Sequence, residues 1–163
     1  MKNIVFARID ERLLHGQGVT AWVGDVGCTQ IYVIDDLTAK NMMIVGLYRK
    51  LAPPGTACDV ISVQKAIEIL SSEPSNKKEK VMLLVKIPQV LEALIDAGIK
   101  LENVNLGGMG LNNERKPFID NVSASSEEIA SMSRMIDKGV NITYQVAPYS
   151  KATDVSKVIN KFL

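Results

Sequence analysis

The sequence predicts an α/β protein with an open, mostly parallel sheet of about seven strands and helices on both faces. Short apolar runs rich in β-branched residues recur along the chain, as is typical of strands that helices cover on both sides. Segments with apolar residues at helical spacing alternate with these runs. Residues that cap helices stand where several of these segments begin, and glycines stand where several end.

Length and composition indicate a single globular domain over residues 1–163, with 47% apolar and 23% charged residues. The net charge of +1 favours neither nucleic acid nor an anionic membrane, so no nucleic-acid partner is expected. Cys28 and Cys58 form no C-x-x-C pair and are predicted to be reduced. No signal peptide fits the first residues and no apolar stretch is long enough to span a membrane, so we expect a cytoplasmic protein.

Seven segments have the character of strands: residues 4–9, 31–34, 57–61, 81–85, 104–106, 116–122 and 140–146. The run Val81–Val85 is the most apolar and is therefore placed centrally. Residues 116–122 are predicted to form an edge strand, since Pro117 lacks an N–H group. Residues 140–146 alternate between apolar and polar, which indicates a half-exposed strand.

Six segments have helical spacing. Their expected buried residues are Val19, Trp22 and Val23; Ile44, Leu47 and Leu51; Val63, Ala66, Ile67 and Leu70; Val90, Leu91, Leu94 and Ile95; Ile129, Met132, Met135 and Ile136; and Val155, Val158, Ile159 and Phe162. Four of these helices have predicted N-terminal signals: Thr38, Ser62, Pro88 and the capping box of residues 125–128. Met42 and Met43 are expected in the core.

His15, the only histidine, follows the first predicted strand in a segment dense in charge. In an α/β sheet this position lies at the carboxyl edge, where ligands bind. A lone histidine is more often a loop residue that hydrogen-bonds the backbone. Arg8 and Arg12 change that expectation, because guanidinium groups match the oxygens of a phosphoryl group.

Two further features support phosphoryl chemistry at His15. The amides of Gly16, Gln17 and Gly18 are expected at a helix N-terminus, which favours anions, and Asp10 is placed to orient the imidazole or hold an arginine. An ordinary histidine has a pKa of about 6.5, and nearby cations disfavour the imidazolium further. The neutral ring is therefore a nucleophile for phosphorus, and the same cations stabilise the transferring group.

A second glycine-rich stretch, Gly107-Gly108-Met109-Gly110, ends a predicted strand and should lie on the same edge. Its glycines allow a ligand to approach the backbone, although a simple tight turn is an equal alternative. The chain lacks the glycine-rich fingerprints of dinucleotide binding and of nucleotide hydrolysis. One histidine and two distant cysteines cannot build a usual zinc site, so neither a metal nor a cofactor is expected.

Residues 8–17 read Arg-Ile-Asp-Glu-Arg-Leu-Leu-His-Gly-Gln, and Trp22 follows. With its pattern R-x-D-x-R-L-x-H-G-Q, this stretch resembles the active-site loop of enzyme IIB of the mannose/fructose/sorbose type in the bacterial phosphoenolpyruvate-dependent sugar phosphotransferase system. Residues 85–88, 105–109 and 122–123 look like further landmarks of that family. The resemblance covers the whole chain.

The resemblance implies an open α/β fold and a phosphocarrier. Such a protein accepts a phosphoryl group from a phosphohistidine on a IIA protein and passes it to a sugar that enters through the IIC/IID membrane components. His15 matches the phosphorylated histidine, which reacts through Nδ1. The supporting positions of the loop match Arg8, Asp10, Arg12 and Gln17.

Further expectations follow from the same resemblance. Gly18 stands where the family usually has valine, so the first turn of the next helix is expected to be more flexible. No IIA domain precedes the loop, so the donor is expected to be a separate chain and the protein to associate peripherally with the permease. The sugar stays open among mannose, fructose, sorbose and an amino sugar such as N-acetylgalactosamine, because the membrane components hold it.

Two other classes of function use similar residues. A histidine phosphatase or mutase has arginine directly before His-Gly, where Leu14 stands here, and needs a second histidine that is absent. A non-catalytic module for anions or nucleotides would be stabilised by small phosphorylated ligands without forming a covalent adduct.

Overall fold

The computed structural model describes residues 1–14 and 17–163, and at residues 17 and 18 it describes the backbone. The strands are β1 (Ile4–Ile9), β2 (Gln30–Ile34), β3 (Ala57–Ile61), β4 (Val81–Val85), β5 (Asn103–Leu106), β6 (Lys116–Ile119), β7 (Val122–Ala124), β8 (Asn141–Tyr144) and β9 (Thr153–Asp154). The helices are α1 (Gln17–Val26), α2 (Asp36–Ala39), α3 (Met42–Leu51), α4 (Val63–Ser71), α5 (Pro88–Asp96) and α6 (Ser126–Asp137). Two 3₁₀ helices, Val155–Lys157 and Ile159–Phe162, follow β9.

Seven of the strands form one sheet in the order β3-β2-β4-β1-β5-β8-β9. All neighbouring pairs are parallel except β8 and β9, which are antiparallel. The predicted α/β fold with a mostly parallel sheet is therefore confirmed. The strand β4 lies in the interior, and all five of its residues are buried, as its apolar sequence predicts.

Two apolar clusters pack on opposite faces of this sheet. Val81, Leu83 and Val85 of β4 belong to one cluster, and Met82 and Leu84 to the other, because successive side chains of a strand point to opposite faces. Helices α4, α5 and α6 contribute to the first cluster, and α1 and α3 to the second. Helices therefore cover both faces, as predicted. Within the described part of the chain, no helix is long and apolar enough to cross a membrane.

The predicted edge strand over residues 116–122 is wrong. These residues reverse direction at Asp120, whose φ of 46° is left-handed, and β6 and β7 pair with each other in a separate antiparallel hairpin. The two-residue strand β9 forms one edge of the main sheet, and β3 forms the other. A two-residue pairing carries no periodicity that sequence analysis could detect.

The helix starts predicted at Ser62, Pro88 and Ser125 are confirmed, and Ser125 forms a complete capping box with Glu128. The N-cap predicted at Thr38 is wrong. The amide and hydroxyl of Thr38 both donate to the carboxylate of Asp35, which caps the short helix α2.

The predicted buried stripe of α3 is also wrong. Val45 and Tyr48 are buried, whereas Leu47 and Leu51 are 47% and 45% exposed, and Ile44 is half-buried. Asn41 starts the helix, and from that start the 45/48 stripe faces the sheet. Met42 and Met43 lie exposed in the first turn, contrary to the core position predicted for them.

The last predicted helix is replaced by the two 3₁₀ helices. Pairing of β9 with β8 uses residues 153–154, and the Asp154 carboxylate then caps a tight turn by accepting from the amide of Ser156. Val155 and Ile159 are buried as predicted. Phe162 is 40% exposed and contacts Phe118 edge-on at a centroid distance of 4.9 Å.

Candidate functional site

Two loops meet at the carboxyl edge of the sheet, where β1 and β5 lie side by side. We call residues 10–14 the charged turn and residues 107–110 the glycine loop. The amide of Glu11 donates to the carbonyl of Gly108 at 2.8 Å, and the amide of Gly107 donates to the carbonyl of Ile9 at 2.7 Å. The two loops therefore lie on the same edge, as expected, and they are in contact because β1 and β5 are neighbouring strands.

Arg8, the penultimate residue of β1, is fully buried beneath these loops. Its Nε and Nη2 atoms donate to Oδ2 of Asp10 at 3.3 and 3.1 Å. Nη1 donates to Oδ1 of Asn105 and to the carbonyl of Gln145, and Nη2 also donates to the carbonyl of Val146. All five N–H donors of the guanidinium are thus engaged, so Arg8 holds neighbouring groups in position rather than presenting donors to a ligand.

Aromatic rings and a glycine enclose the Arg8 guanidinium. Its Cζ atom lies 5.8 Å from the ring centroid of Trp22, and Trp22 stacks on Phe6 at 4.6 Å. The indole N–H of Trp22 donates to the carbonyl of Val146 at 3.1 Å. A Cβ atom on Gly107 would lie 2.8 Å from Arg8 Nε, so only glycine fits there. Burial lowers the pKa of Arg8, and the charge of Asp10 opposes this shift.

Asp10 connects the buried Arg8 to the exposed Arg12, because its carboxylate accepts hydrogen bonds from both guanidinium groups. Arg12 donates to both carboxylate oxygens, through Nε at 3.0 Å and Nη2 at 2.8 Å, and its amide donates to Oδ1 at 3.0 Å. Burial would raise the pKa of Asp10, but the hydrogen bonds from Arg12 and the charges of Arg8 and Arg12 hold it below the ordinary value. The Arg12 side chain is 55% exposed, and Nη1 has no partner within the described residues. Arg12 is thus a cation held in a fixed orientation, with one donor edge that no described residue engages.

The charged turn is closed by an unusual backbone at Leu13. Its φ of 54° is left-handed, a conformation that costs a non-glycine residue about 1–3 kcal/mol and persists only where the surroundings fix it. The amide of Leu13 donates to the carbonyl of Asp10, and Leu13 and Leu14 are both buried in the apolar cluster that contains Trp22. The turn directly before residue 15 is therefore anchored by a carboxylate on one side and by apolar packing on the other.

His15 and Gly16 lie outside the described residues, and so does the side chain of Gln17. The roles predicted for these three residues, including the phosphoryl-binding amides, stay predictions. The described residues bring together Arg8, Asp10 and Arg12 of the predicted site.

The glycines of the glycine loop pack against the charged side chains of the charged turn. A Cβ atom on Gly108 would lie 3.0 Å from Asp10 Oδ1 and 3.1 Å from Arg12 Nε, and one on Gly110 would lie 2.7 Å from a carboxylate oxygen of Glu11. The close approach that these glycines allow is therefore to the charged turn. Met109 points into the core, where it is 1% exposed.

Arg115 belongs to the same network, although sequence analysis did not single it out. Its Nη1 atom donates to Oε2 of Glu11 at 2.7 Å and to the carbonyl of Gly110 at 3.1 Å. Nε and Nη2 donate to the two carboxylate oxygens of Glu128, both at 2.9 Å. No local pattern marks Arg115, which is 104 residues from Glu11. Asn105 was also missed, but a polar residue between Val104 and Leu106 in a buried strand signals a buried partner.

A cleft of about 280 Å³ opens beside the charged turn. Its lining includes Arg12, Gly108, Asn121, Tyr144 and Val146. Among the described residues, no group of three histidine, cysteine or acidic side chains is arranged to hold a metal ion.

The fold and this cluster define an open α/β protein with a fixed cation at the carboxyl edge of its sheet. Residues 4–162 match the profile described as "PTS system sorbose subfamily IIB component", and the chain belongs to this family. It is thus a IIB component of the sugar phosphotransferase system, a phosphotransferase of sugar uptake. The family resemblance seen in residues 8–17 is confirmed.

Relatives of known specificity differ in the sugar named for them. The chain is 32% identical to the fructose-specific EIIB component of Bacillus subtilis (strain 168), covering 98% of this chain and 97% of that one. It is 31% identical to the mannose-specific EIIAB component of Escherichia coli (strain K12), covering 97% of this chain and only half of that one.

Solved structures of similar proteins share the whole fold. The IIB domain of the sorbose permease from Klebsiella pneumoniae superposes with a TM-score of 0.91 at 26% identity, over 98% of this chain and 97% of that one. The manxB protein from Thermoanaerobacter tengcongensis superposes with a TM-score of 0.89 at 33% identity, over 100% of this chain and 98% of that one.

Proposed function

We propose that the protein accepts a phosphoryl group on His15 from a phosphohistidine of a IIA protein and transfers it to a sugar entering through IIC/IID membrane components. The observation that carries this proposal is the charged turn, in which Asp10 holds the half-exposed Arg12 three residues before His15. A cation held in a fixed orientation stabilises a phosphoryl group better than a mobile one, because no reorganisation is needed during the reaction.

The reaction consists of two displacements at phosphorus. In the first, the lone pair of His15 Nδ1 forms a new P–N bond while the P–N bond to the donor imidazole breaks, and the donor ring keeps that electron pair. In the second, a sugar hydroxyl oxygen forms a P–O bond while the P–N bond to His15 breaks. The His15 imidazole keeps that electron pair and returns to the neutral state, and the hydroxyl proton passes to solvent. Both steps transfer a phosphoryl group whose charge spreads over three oxygens, so positioning and positive charge supply most of the catalysis.

Each predicted site residue has its own role in this proposal. Arg12 faces the phosphoryl oxygens with its free donor edge, and the Gly16 and Gln17 amides bind the remaining oxygens. Arg8 and Asp10 are positioning residues: Arg8 is saturated by its partners, and Asp10 aligns Arg12. The pKa of Asp10 is held below its ordinary value by Arg12 and Arg8 against the effect of burial, so the carboxylate stays charged at neutral pH.

The family suggests the partners but leaves the sugar open. The relatives are named for fructose, mannose, sorbose and N-acetylgalactosamine, although each matches 97–98% of this chain. Because sequence identity to these relatives spans only 28–32%, no one of these sugars is favoured. We therefore assign the choice of sugar to the membrane components, to which this protein binds at the membrane surface.

The test is phosphorylation by a phosphorylated IIA protein, followed by intact-mass spectrometry. We expect the mass gain of one phosphoryl group, its loss in acid, and no gain in the His15→Ala variant. Turnover of a small phosphate ester by the isolated protein would indicate a phosphatase instead. Stabilisation by phosphorylated ligands without a covalent adduct would indicate a binding module.

Arg12 can be tested against a matched arginine elsewhere on the surface. Arg12→Ala is expected to slow phosphorylation of the protein by about 100-fold, the usual effect of removing one charge-stabilising donor. Arg49 is the control, because it is 57% exposed and also pairs with an aspartate, Asp59, at 3.1 Å. Arg49→Ala should leave the rate unchanged. Equal effects of the two substitutions would contradict the role of Arg12.

A further inference from the structure

We infer that Arg115 is a positioning residue for phosphoryl transfer, because it ties the charged turn, through Glu11, to the helix α6. The inference rests on the proposed function for its kinetic consequence. Its structural part, the fixation of the turn, can be tested independently.

Arg115 contacts the charged turn and the glycine loop at once. Its Nη1 atom donates to Glu11 at 2.7 Å and to the carbonyl of Gly110 at 3.1 Å. The other carboxylate oxygen of Glu11 accepts from the amide of Gly110. The amide of Glu11 donates to Gly108, so Glu11 is held through both its backbone and its side chain. These bonds join the two loops next to Arg12.

The far side of Arg115 is fixed to a rigid element. Its remaining donors form a bidentate pair with Glu128 at 2.9 Å, and both side chains are less than 10% exposed, at 7% and 6%. Glu128 also accepts from the amide of Ser125 and so completes the capping box at the start of α6. The charged turn is thus connected to the N-terminus of a twelve-residue helix by two carboxylates and one guanidinium.

Only a guanidinium makes this connection. Its planar fork reaches two carboxylates and a carbonyl in different directions, whereas a lysine ammonium is a single point charge. Buried ion pairs contribute little net stability compared with apolar packing, so stability alone does not account for the arrangement. Its distinctive consequence is geometric, because Glu11 is fixed beside Arg12. In an active site, a misplacement of about 1 Å can cost about 100-fold in rate.

The first variant to test is Glu11→Ala, which removes the connection but leaves the buried pair of Arg115 and Glu128 intact. Glu11 is 39% exposed, so the variant is expected to fold. We expect phosphorylation by phosphorylated IIA protein to slow about 10- to 100-fold in kcat, with little change in KM for the donor and the same final extent. Hydrogen exchange of the amides of Glu11 and Gly110 should become faster.

Two further variants separate a positioning role from general stability. Arg115→Lys should slow phosphorylation as Glu11→Ala does, because lysine cannot hold Glu11 and Glu128 together. Arg134→Met is the matched control: Arg134 lies on the same helix α6 and pairs with Glu92 of α5, away from the charged turn. It should leave both the rate and the exchange of the two loop amides unchanged.

The outcomes distinguish this inference from the proposed function. If the wild-type protein is phosphorylated and Glu11→Ala or Arg115→Lys reacts at the wild-type rate, the inference is wrong and the proposed function stands. If the wild-type protein is not phosphorylated, the proposed function fails, and the exchange of the Glu11 amide in Arg115→Lys still decides whether Arg115 fixes the turn. Unchanged exchange of the Glu11 amide in Arg115→Lys would overturn the structural part, and an equally large loss of rate in Arg134→Met would reduce the effect to general stability.

Discussion

Replacing Gly107 by alanine is expected to destabilise the fold strongly, because the new methyl group would collide with the buried guanidinium of Arg8. The alanine Cβ atom would stand 2.5 Å from Cζ and 2.8 Å from Nε of Arg8. Ordinary contacts between such atoms are about 3.5 Å, so the guanidinium would have to move by about 1 Å. Arg8 has no room for this movement, since it is 0% exposed and its five donors are engaged.

The magnitude follows from what that movement breaks. Losing one hydrogen bond between Arg8 and the charged Asp10 costs about 1.5–3 kcal/mol. Forcing a methyl group into a filled space costs about another 1–3 kcal/mol. The expected loss is therefore roughly 2.5–6 kcal/mol of unfolding free energy, a large part of the ~5–15 kcal/mol of a typical domain.

The assay is urea denaturation followed by the fluorescence of Trp22, the only tryptophan, which lies 5.8 Å from Arg8. Gly46→Ala is the control, because nothing lies within 4 Å of its would-be Cβ atom and the residue is inside α3. It should stabilise the protein by about 0.5–1 kcal/mol. If Gly107→Ala unfolds within about 0.5 kcal/mol of the wild type, the rigid enclosure of Arg8 is refuted.

Three further predictions concern the core, the acid limb of stability and the thiols. Met132 is fully buried and Met43 is 85% exposed. In urea denaturation, Met132→Ala should therefore lower the unfolding free energy by about 2–5 kcal/mol and Met43→Ala by less than about 0.5 kcal/mol. Equal losses would contradict the assigned burial. Burial would raise the pKa of Glu128, but Arg115 and the Ser125 amide hold this pKa below its ordinary value. The ionised Glu128 therefore stabilises the folded protein fully at neutral pH, and this stabilisation is lost as the pH falls through the folded-state pKa. Glu128→Gln should therefore lose less stability than the wild type between about pH 7 and about pH 3, and a steeper loss would contradict this. Burial raises the pKa of Cys58 to about 12, so iodoacetamide at about pH 8 should modify it only after unfolding, and rapid modification of the native protein would contradict its burial.

The strands of the main sheet were predictable where the signal is local. The apolar composition of β1 to β4 alone predicts buried strands, and their alternation with helices indicates the parallel sheet. The errors arose where tertiary contacts decide. Helix α3 has two apolar stripes, and only the packing against the sheet selects Val45 and Tyr48 over Leu47 and Leu51.

Three members of the candidate site, Arg8, Asp10 and Arg12, were predictable, but their arrangement was not. In sequence, Arg8 and Arg12 look equivalent, since each lies two residues from Asp10. The fold separates them: β5 and the residues after β8 saturate Arg8, whereas Arg12 stays half-exposed. Arg115 was not predictable, because its partner Glu11 is joined to it only by the meeting of two distant loops.

The most direct test of the central claim is nuclear magnetic resonance of the phosphorylated protein with nitrogen-15 in its histidine. Because His15 is the only histidine, a single imidazole spin system reports on the site. We predict a scalar coupling between phosphorus and Nδ1 after incubation with phosphorylated IIA protein, which disappears when the phosphoryl group is passed to a sugar. Coupling to Nε2, or a phosphorylated protein without any coupling to the imidazole, would contradict the account.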